Sequence, residues 1–121
     1  MQKAVSLVVG LLIGVGVTWF ATNRSPHPDV DAASVARGKQ LFQVCSACHG
    51  PDARGNPDTQ APKLAGQYPW YLERQLRNFR AGIRGVDSAD TNGFMMRPMA
   101  EGLPDDQAVS DVVAYISTLK P

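Results

Sequence analysis

Cysteine is almost missing from this chain of 121 residues: there are two, Cys45 and Cys48. They lie three positions apart in one short motif, so no second pair is left for a structural disulfide. Histidine is as sparse, with His27 and His49 alone. A structural zinc site takes four ligands. Cys45, Cys48 and His49 leave only the remote His27 to complete such a set, so zinc fits poorly. Net charge is nearly absent too, at +1 from 12 basic and 11 acidic residues. That withholds the basic footprint expected of a nucleic-acid binder. No run of alternating β-branched residues reads as a strand, and no internal repeat is visible. The expected class is therefore all-α. With 44% hydrophobic residues, 11 Gly and 9 Pro, the chain is neither disordered nor collagen-like. Its length fits one domain with a modest core, of the size that leans on a crosslink or cofactor.

One long uncharged run is present. Between Lys3 and Arg24 lie 20 residues without charge, 4–23. A helix of that length spans about 30 Å, the hydrocarbon thickness of a bilayer. A cleaved signal peptide is the rival reading. It would carry a shorter apolar region and a small-residue cleavage site, whereas this run ends in Trp19-Phe20-Ala21-Thr22-Asn23. Trp19 and Phe20 stand where an interfacial anchor would. The run is read as a retained transmembrane anchor. Gly10 and Gly14 form G-x-x-x-G, either a close-packing site for a second helix or two glycines merely tolerated there. The expected organisation is a cytoplasmic terminus at 1–3, an anchor at 4–23, a Pro-containing linker at 24–32 and one domain at 33–121.

Three helices are legible in that domain. The first, 33–44, carries Val35, Leu41, Phe42 and Val44. The second, 69–81, places Leu72, Leu76 and Phe79 at i, i+4 and i+7, with Gly82 as its stop. The third, 104–119, opens with Pro104 in its first turn and Asp105 and Asp106 near its positive end. Val109, Val112, Val113 and Ile116 form its buried face. Residues 50–63 and 85–103 read as Gly/Pro/Asp-rich loops.

The first helix runs into Cys45-Ser46-Ala47-Cys48-His49, the C-x-x-C-H signature of covalent c-type haem attachment. Two thiols add to the vinyl groups along one porphyrin edge, and the following imidazole lies under the ring as an iron ligand. A thioredoxin-like C-x-x-C would need βαβ units, which the pattern excludes. Haem iron changes oxidation state by one electron, so the motif points to electron transfer. Haem is attached to such motifs outside the bacterial cytoplasmic membrane, so the domain is expected in the periplasm. For the second axial ligand, His27 lies outside the domain. The remaining soft donors are Met95, Met96 and Met99. Methionine–histidine ligation raises the reduction potential and leaves no open position for oxygen or peroxide.

The pattern Gly38-x-x-x-Phe42-x-x-Cys45-x-x-Cys48-His49, then Ala61-Pro62-x-Leu64, then the methionine segment and Ala114-Tyr115-Ile116, resembles a class I bacterial cytochrome c. The run Pro62-x-Leu64-Ala65-Gly66-Gln67 with Tyr71-x-x-x-Gln75-Leu76-x-x-Phe79-Arg80 is most similar to one half of the diheme cytochromes of the c-four type. The likeness covers about 33–120, and one C-x-x-C-H makes this a monohaem relative. The resemblance implies a class I fold with three main helices around one covalent haem c. It implies a Pro62 carbonyl accepting from the His49 ring, with Leu64 beside it in the haem-contacting segment. It implies that Met96, seven residues before Leu103, is the iron ligand with His49, while Met99 fills the pocket. Gly38 and Phe42 would meet Tyr115 at a helix crossing. The family has serine as cap before the last helix; Pro104 stands there, which leaves the cap unassigned.

From 37 to 84 there are eight basic and three acidic residues, net +5; from 85 to 121 there are two and six, net −4. Arg74, Arg77, Arg80 and Arg84 lie on or just past the second helix, as a partner-steering face, propionate partners or a solvated surface. Trp70 and Tyr71 are placed to reach a propionate, or pack the helix start. The expected function is a membrane-anchored electron carrier, not an enzyme and with no small-molecule substrate. Its partners would be membrane redox complexes such as a quinol–cytochrome c reductase, a terminal oxidase or a dehydrogenase. A fixed cytochrome subunit of such a complex is the alternative, and a haem enzyme or gas sensor with an open iron site a weaker one.

Overall fold

The computed structural model describes residues 30–121. The expected anchor at 4–23 and most of the linker lie outside these residues. Among the described helices none is long and apolar enough to cross a membrane.

Four α-helices carry the fold: α1 (Ala32–His49), α2 (Pro69–Arg80), α3 (Thr91–Glu101) and α4 (Asp106–Thr118). A short 3-10 turn, Pro57–Thr59, interrupts the loop after α1. The class is all-α as the sequence implied, but the expectation of three main helices is corrected to four. The segment read as part of a loop, 85–103, folds as α3 over most of its length. Its start is the reason: the Asp90 carboxylate caps it by accepting from the Gly93 amide at 3.0 Å. That satisfies an amide left unpaired at every helix start.

Two boundaries also shift. The first helix continues through the cysteine motif to His49 rather than ending at 44. Asp31 caps it, its side chain accepting from the Ala33 amide at 3.2 Å. Before the last helix the open question of the cap is answered by Asp105, not Pro104. Its side chain accepts from the Ala108 amide at 2.8 Å, and Pro104 lies outside the helix. Val44 points outward, 66% exposed, because two helical positions from buried Phe42 turn a side chain to the far side.

The core sits where α1 crosses α4. Val109, Val112, Val113 and Ile116 are all buried, with Phe42, Leu72 and Leu103 packed into the same cluster. The crossing is close because residue 38 has no side chain. A Cβ at Gly38 would overlap the Asp111 carbonyl and lie 2.9 Å from the Tyr115 Cβ. Phe42 and Tyr115 then stack at a tilt, ring centroids 5.3 Å apart, as the sequence pattern implied. Beneath them α2 contributes Leu72 and Phe79, both buried, from its inner stripe.

Candidate haem site

Cys45, Cys48 and His49 occupy the last turn of α1. Positions i, i+3 and i+4 share one helical face, so the two thiols and the imidazole project to the same side. Cys45 is half-buried against the core and Cys48 is exposed. Burial pushes the Cys45 thiol above the ordinary thiol range, with the neighbouring Cys48 adding to it against a counteracting backbone hydrogen bond. Such a thiol stays protonated near neutrality.

His49 is buried, with 6% exposure. Its Nδ1 lies 2.8 Å from the Pro62 carbonyl. A carbonyl only accepts, so this contact fixes the proton on Nδ1 and leaves the Nε2 lone pair to face a metal. The loop that delivers Pro62 is pinned in several places. The Gly55 amide donates to the His49 carbonyl at 2.8 Å, and Asn56 and Ala61 exchange backbone hydrogen bonds at 3.0 and 3.1 Å. Gly55 has φ +83°, and a Cβ there would come within 2.8 Å of the Ala61 carbonyl and the Lys63 amide. The turn therefore demands glycine. Thr59 donates from its hydroxyl to the Cys48 carbonyl at 3.0 Å, tying the loop to the motif.

Ala53 was not visible as a functional position from sequence. It is fully buried, and its carbonyl accepts from both the Leu64 and Ala65 amides at 2.8 and 3.0 Å. Its φ of +56° is the cost of that placement, and no pattern in the sequence announces a left-handed alanine. Leu64 is half-buried against the core cluster. Tyr71 is 37% exposed, its ring edge-on to Trp70 at 5.9 Å.

The three methionines all lie on α3. Met96 is half-buried and shares a face with buried Gly93 and Ala100, at i−3 and i+4. Met95 and Met99, four apart, share another face and are 60% and 50% exposed.

Among the described residues no group of three or more His, Cys, Asp or Glu side chains could hold a bare metal ion. The donor chemistry instead fits a porphyrin: two thiols for one ring edge, one oriented imidazole, and thioethers on a separate element.

The family model for cytochrome c matches residues 35–120. Cytochrome c-554(548) of Halomonas halodenitrificans is 37% identical over 87 residues, covering 72% of this chain and 98% of that protein. The thiosulfate dehydrogenase electron acceptor of Thiomonas intermedia is 42% identical over 89 residues, covering 74% of this chain and 37% of that one. The crystal structure of reduced recombinant cytochrome c4 from Pseudomonas stutzeri superposes with a TM-score of 0.64 at 33% identity, covering 74% of this chain and 50% of that chain. This chain spans about half the length of the cytochrome c4 relatives it matches, 52% of the one from Azotobacter vinelandii. The resemblance to one half of a c4-type cytochrome thus holds across sequence and fold. With a match over residues 35–120 and a C-x-x-C-H segment at the end of α1, the chain belongs to the cytochrome c family and carries covalent haem c.

Proposed function

We propose that this chain is a membrane-anchored electron carrier. His49 and Met96 would be the axial ligands, and Cys45 and Cys48 the thioether links. The observation that carries the reading is the His49–Pro62 contact at 2.8 Å. It presents one imidazole nitrogen in a fixed direction while Met96 occupies the inward face of a separate helix. When bound, the haem iron supplies reversible one-electron chemistry. The residues around it do the rest. The Pro62 carbonyl holds the imidazole tautomer and direction, which keeps the ligand geometry constant as charge changes. The core cluster of Leu72 and Leu103, with Leu64 and Cys45 packed against it, would keep water from the haem where it adjoins Cys45. Met96 as second ligand would block exogenous ligands and favour a high potential. Pro62, Leu64, Tyr71 and Met99 would line the pocket.

The uncharged run at 4–23 supports tethering to the bacterial cytoplasmic membrane with the haem domain in the periplasm. A tether keeps the carrier concentrated near membrane partners such as a quinol–cytochrome c reductase or a terminal oxidase. A second reading is favoured by the similarity to a protein named for accepting electrons from thiosulfate dehydrogenase. Similarity to a cytochrome subunit of sulfide dehydrogenase from Chlorobaculum tepidum points the same way. In that reading the chain serves a periplasmic sulfur-compound dehydrogenase as acceptor or fixed subunit.

Detergent purification from native membranes separates the two. A carrier leaves the column alone and is reduced by several complexes. A fixed subunit co-purifies in constant stoichiometry with one dehydrogenase. A ferric spectrum that is high-spin, with an iron open to cyanide or peroxide, would overturn both.

A further inference from the structure

The outward face of α2 carries an exposed aromatic and cationic stripe. Trp70, Arg74 and Arg77 fall at i, i+4 and i+7, on the side of the helix opposite Leu72, Leu76 and Phe79. Trp70 is 61% and Tyr68 70% exposed. Their rings stack with centroids 6.2 Å apart and planes 19° from parallel. Tyr71 braces the indole edge-on, so this is an ordered platform and not three separate side chains. Arg74 makes no ion pair among the described residues. Arg77 approaches Glu73 only loosely, at 3.8 Å. Arg80 and Arg84 differ: Asp106 holds one at 2.8 Å and Gln75 the other at 2.8 Å.

Exposed tryptophan and tyrosine beside unpaired arginine is the composition of an interface centre. The inner face of the same helix packs into the cluster that includes Cys45 and Leu64. One helix thickness, about 10 Å, separates the stripe from the apolar side chains of α2 that join this cluster, so a partner bound there would sit about a helix width from the cluster against which Cys45 packs.

We propose that Tyr68, Trp70, Arg74 and Arg77 form the docking surface for a redox protein that presents an acidic rim around an apolar cleft. Trp70 seats in the cleft and the two arginines meet the carboxylates. The proposal rests on the carrier reading above. Glu73 decides between a protein and a lipid surface. It sets a carboxylate within the stripe, which a uniformly anionic bilayer repels. A protein surface can place a donor opposite it. Arginine, with its planar donor fork, also suits paired carboxylates.

The test uses full-length holoprotein in neutral detergent, as wild type, Trp70→Ala and the double variant Arg74→Glu/Arg77→Glu. Ferric protein is mixed in stopped flow with purified thiosulfate dehydrogenase plus thiosulfate, and separately with purified quinol–cytochrome c reductase plus quinol. The expected result is a second-order rate about tenfold lower for the charge reversal at low salt, closing as salt rises. Trp70→Ala lowers the rate several-fold at both salts. Reduction by ascorbate and the absorption spectrum stay as in wild type, which shows that the haem site is intact. Variants within twofold of wild type, against every enzyme that reduces wild type, overturn the docking proposal and leave the carrier reading standing. A deficit seen only in phosphatidylserine vesicles and not in detergent makes the stripe a lipid contact and also overturns it. A wild type that neither enzyme reduces removes the carrier reading and this proposal together.

Discussion

At the crossing of α1 and α4 a single buried carboxylate, Asp111, accepts four hydrogen bonds. Ser34 donates at 2.5 Å, Arg37 at 2.6 and 3.0 Å, and Gln107 at 2.9 Å. The Arg37 bonds, with help from Ser34 and Gln107, hold the carboxyl well below the ordinary carboxylate range despite burial that opposes it. The folded state therefore binds this proton later than the unfolded chain does. The stabilisation is fully present above the unfolded value of about 3.9 and is lost progressively as pH falls below it toward the lower folded value. Asp111→Asn should be less stable than wild type at pH 7 by about 2 kcal/mol, a figure reduced from that of a fully buried pair because Arg37 is half exposed. The gap should shrink between pH 4 and pH 2 in denaturant melts; a gap independent of pH would refute the assignment. Met96→Ala should lower the reduction potential by on the order of a tenth of a volt, whereas Met99→Ala should shift it far less. Potentiometric titration of both variants decides, and the reverse order would move the ligand to the outer face of α3.

Among the elements, α2 and α4 were legible because their apolar residues recur at i, i+4 and i+7 with little interference. The placement of α1 was legible up to the motif, which its polar tail then hid. The α3 helix was not legible. Thr91, Asn92 and Gly93 are poor helix formers, Pro98 sits inside it and removes an amide, and Phe94, Met95 and Met99 are all at least half exposed. Sequence periodicity reports the burial of a stripe, and this helix buries only small residues and part of Met96. What holds it is a cap and a packing partner, both local geometry. Gly85, in the preceding turn, lies so close that a Cβ there would overlap the Gly93 carbonyl. The Asp90→Ala change should therefore cost about 1 kcal/mol, the usual value of a lost N-cap. Because α3 carries Met96, the same variant should lose methionine ligation at lower denaturant than it loses helix, read from parallel absorption and circular-dichroism curves. Coincident curves in wild type and variant alike would mean α3 does not open separately. Gly38→Ala probes the other contact. With no room at the Asp111 carbonyl, the helices must separate, at about 2–3 kcal/mol, typical of overpacking in a tight core; a variant melting within a degree or two of wild type would refute the close crossing.

Over the whole chain, the sequence divides into a basic stretch at 37–84 and an acidic one at 85–121, and the fold partly cancels that division. Arg37 pairs with Asp111 and Arg80 with Asp106, each bridging the two stretches. Arg74 and Arg77 take no part in these bridges, so the charge division in sequence overstates the charge separation in the fold. The uncharged run at 4–23 precedes the described domain by a linker of fewer than ten residues, too short to let a bilayer-held domain move far from the surface. At roughly 25 cal/mol per Å² of apolar surface, a retained helix of 20 such residues would hold the protein in the bilayer against any salt wash. Native protein should accordingly sediment with membranes, resist extraction by high salt and alkaline carbonate, and enter solution only with detergent. Replacing residues up to 24 with a foreign cleavable signal should release a periplasmic protein whose haem spectrum and potential match the parent. The intact mass of the native protein decides directly. A mature terminus between Ala21 and Ala33, without attached lipid, would make the run a cleaved signal and the carrier a freely diffusing one. Its encounter rate with membrane partners would then rest on the charged docking surface alone.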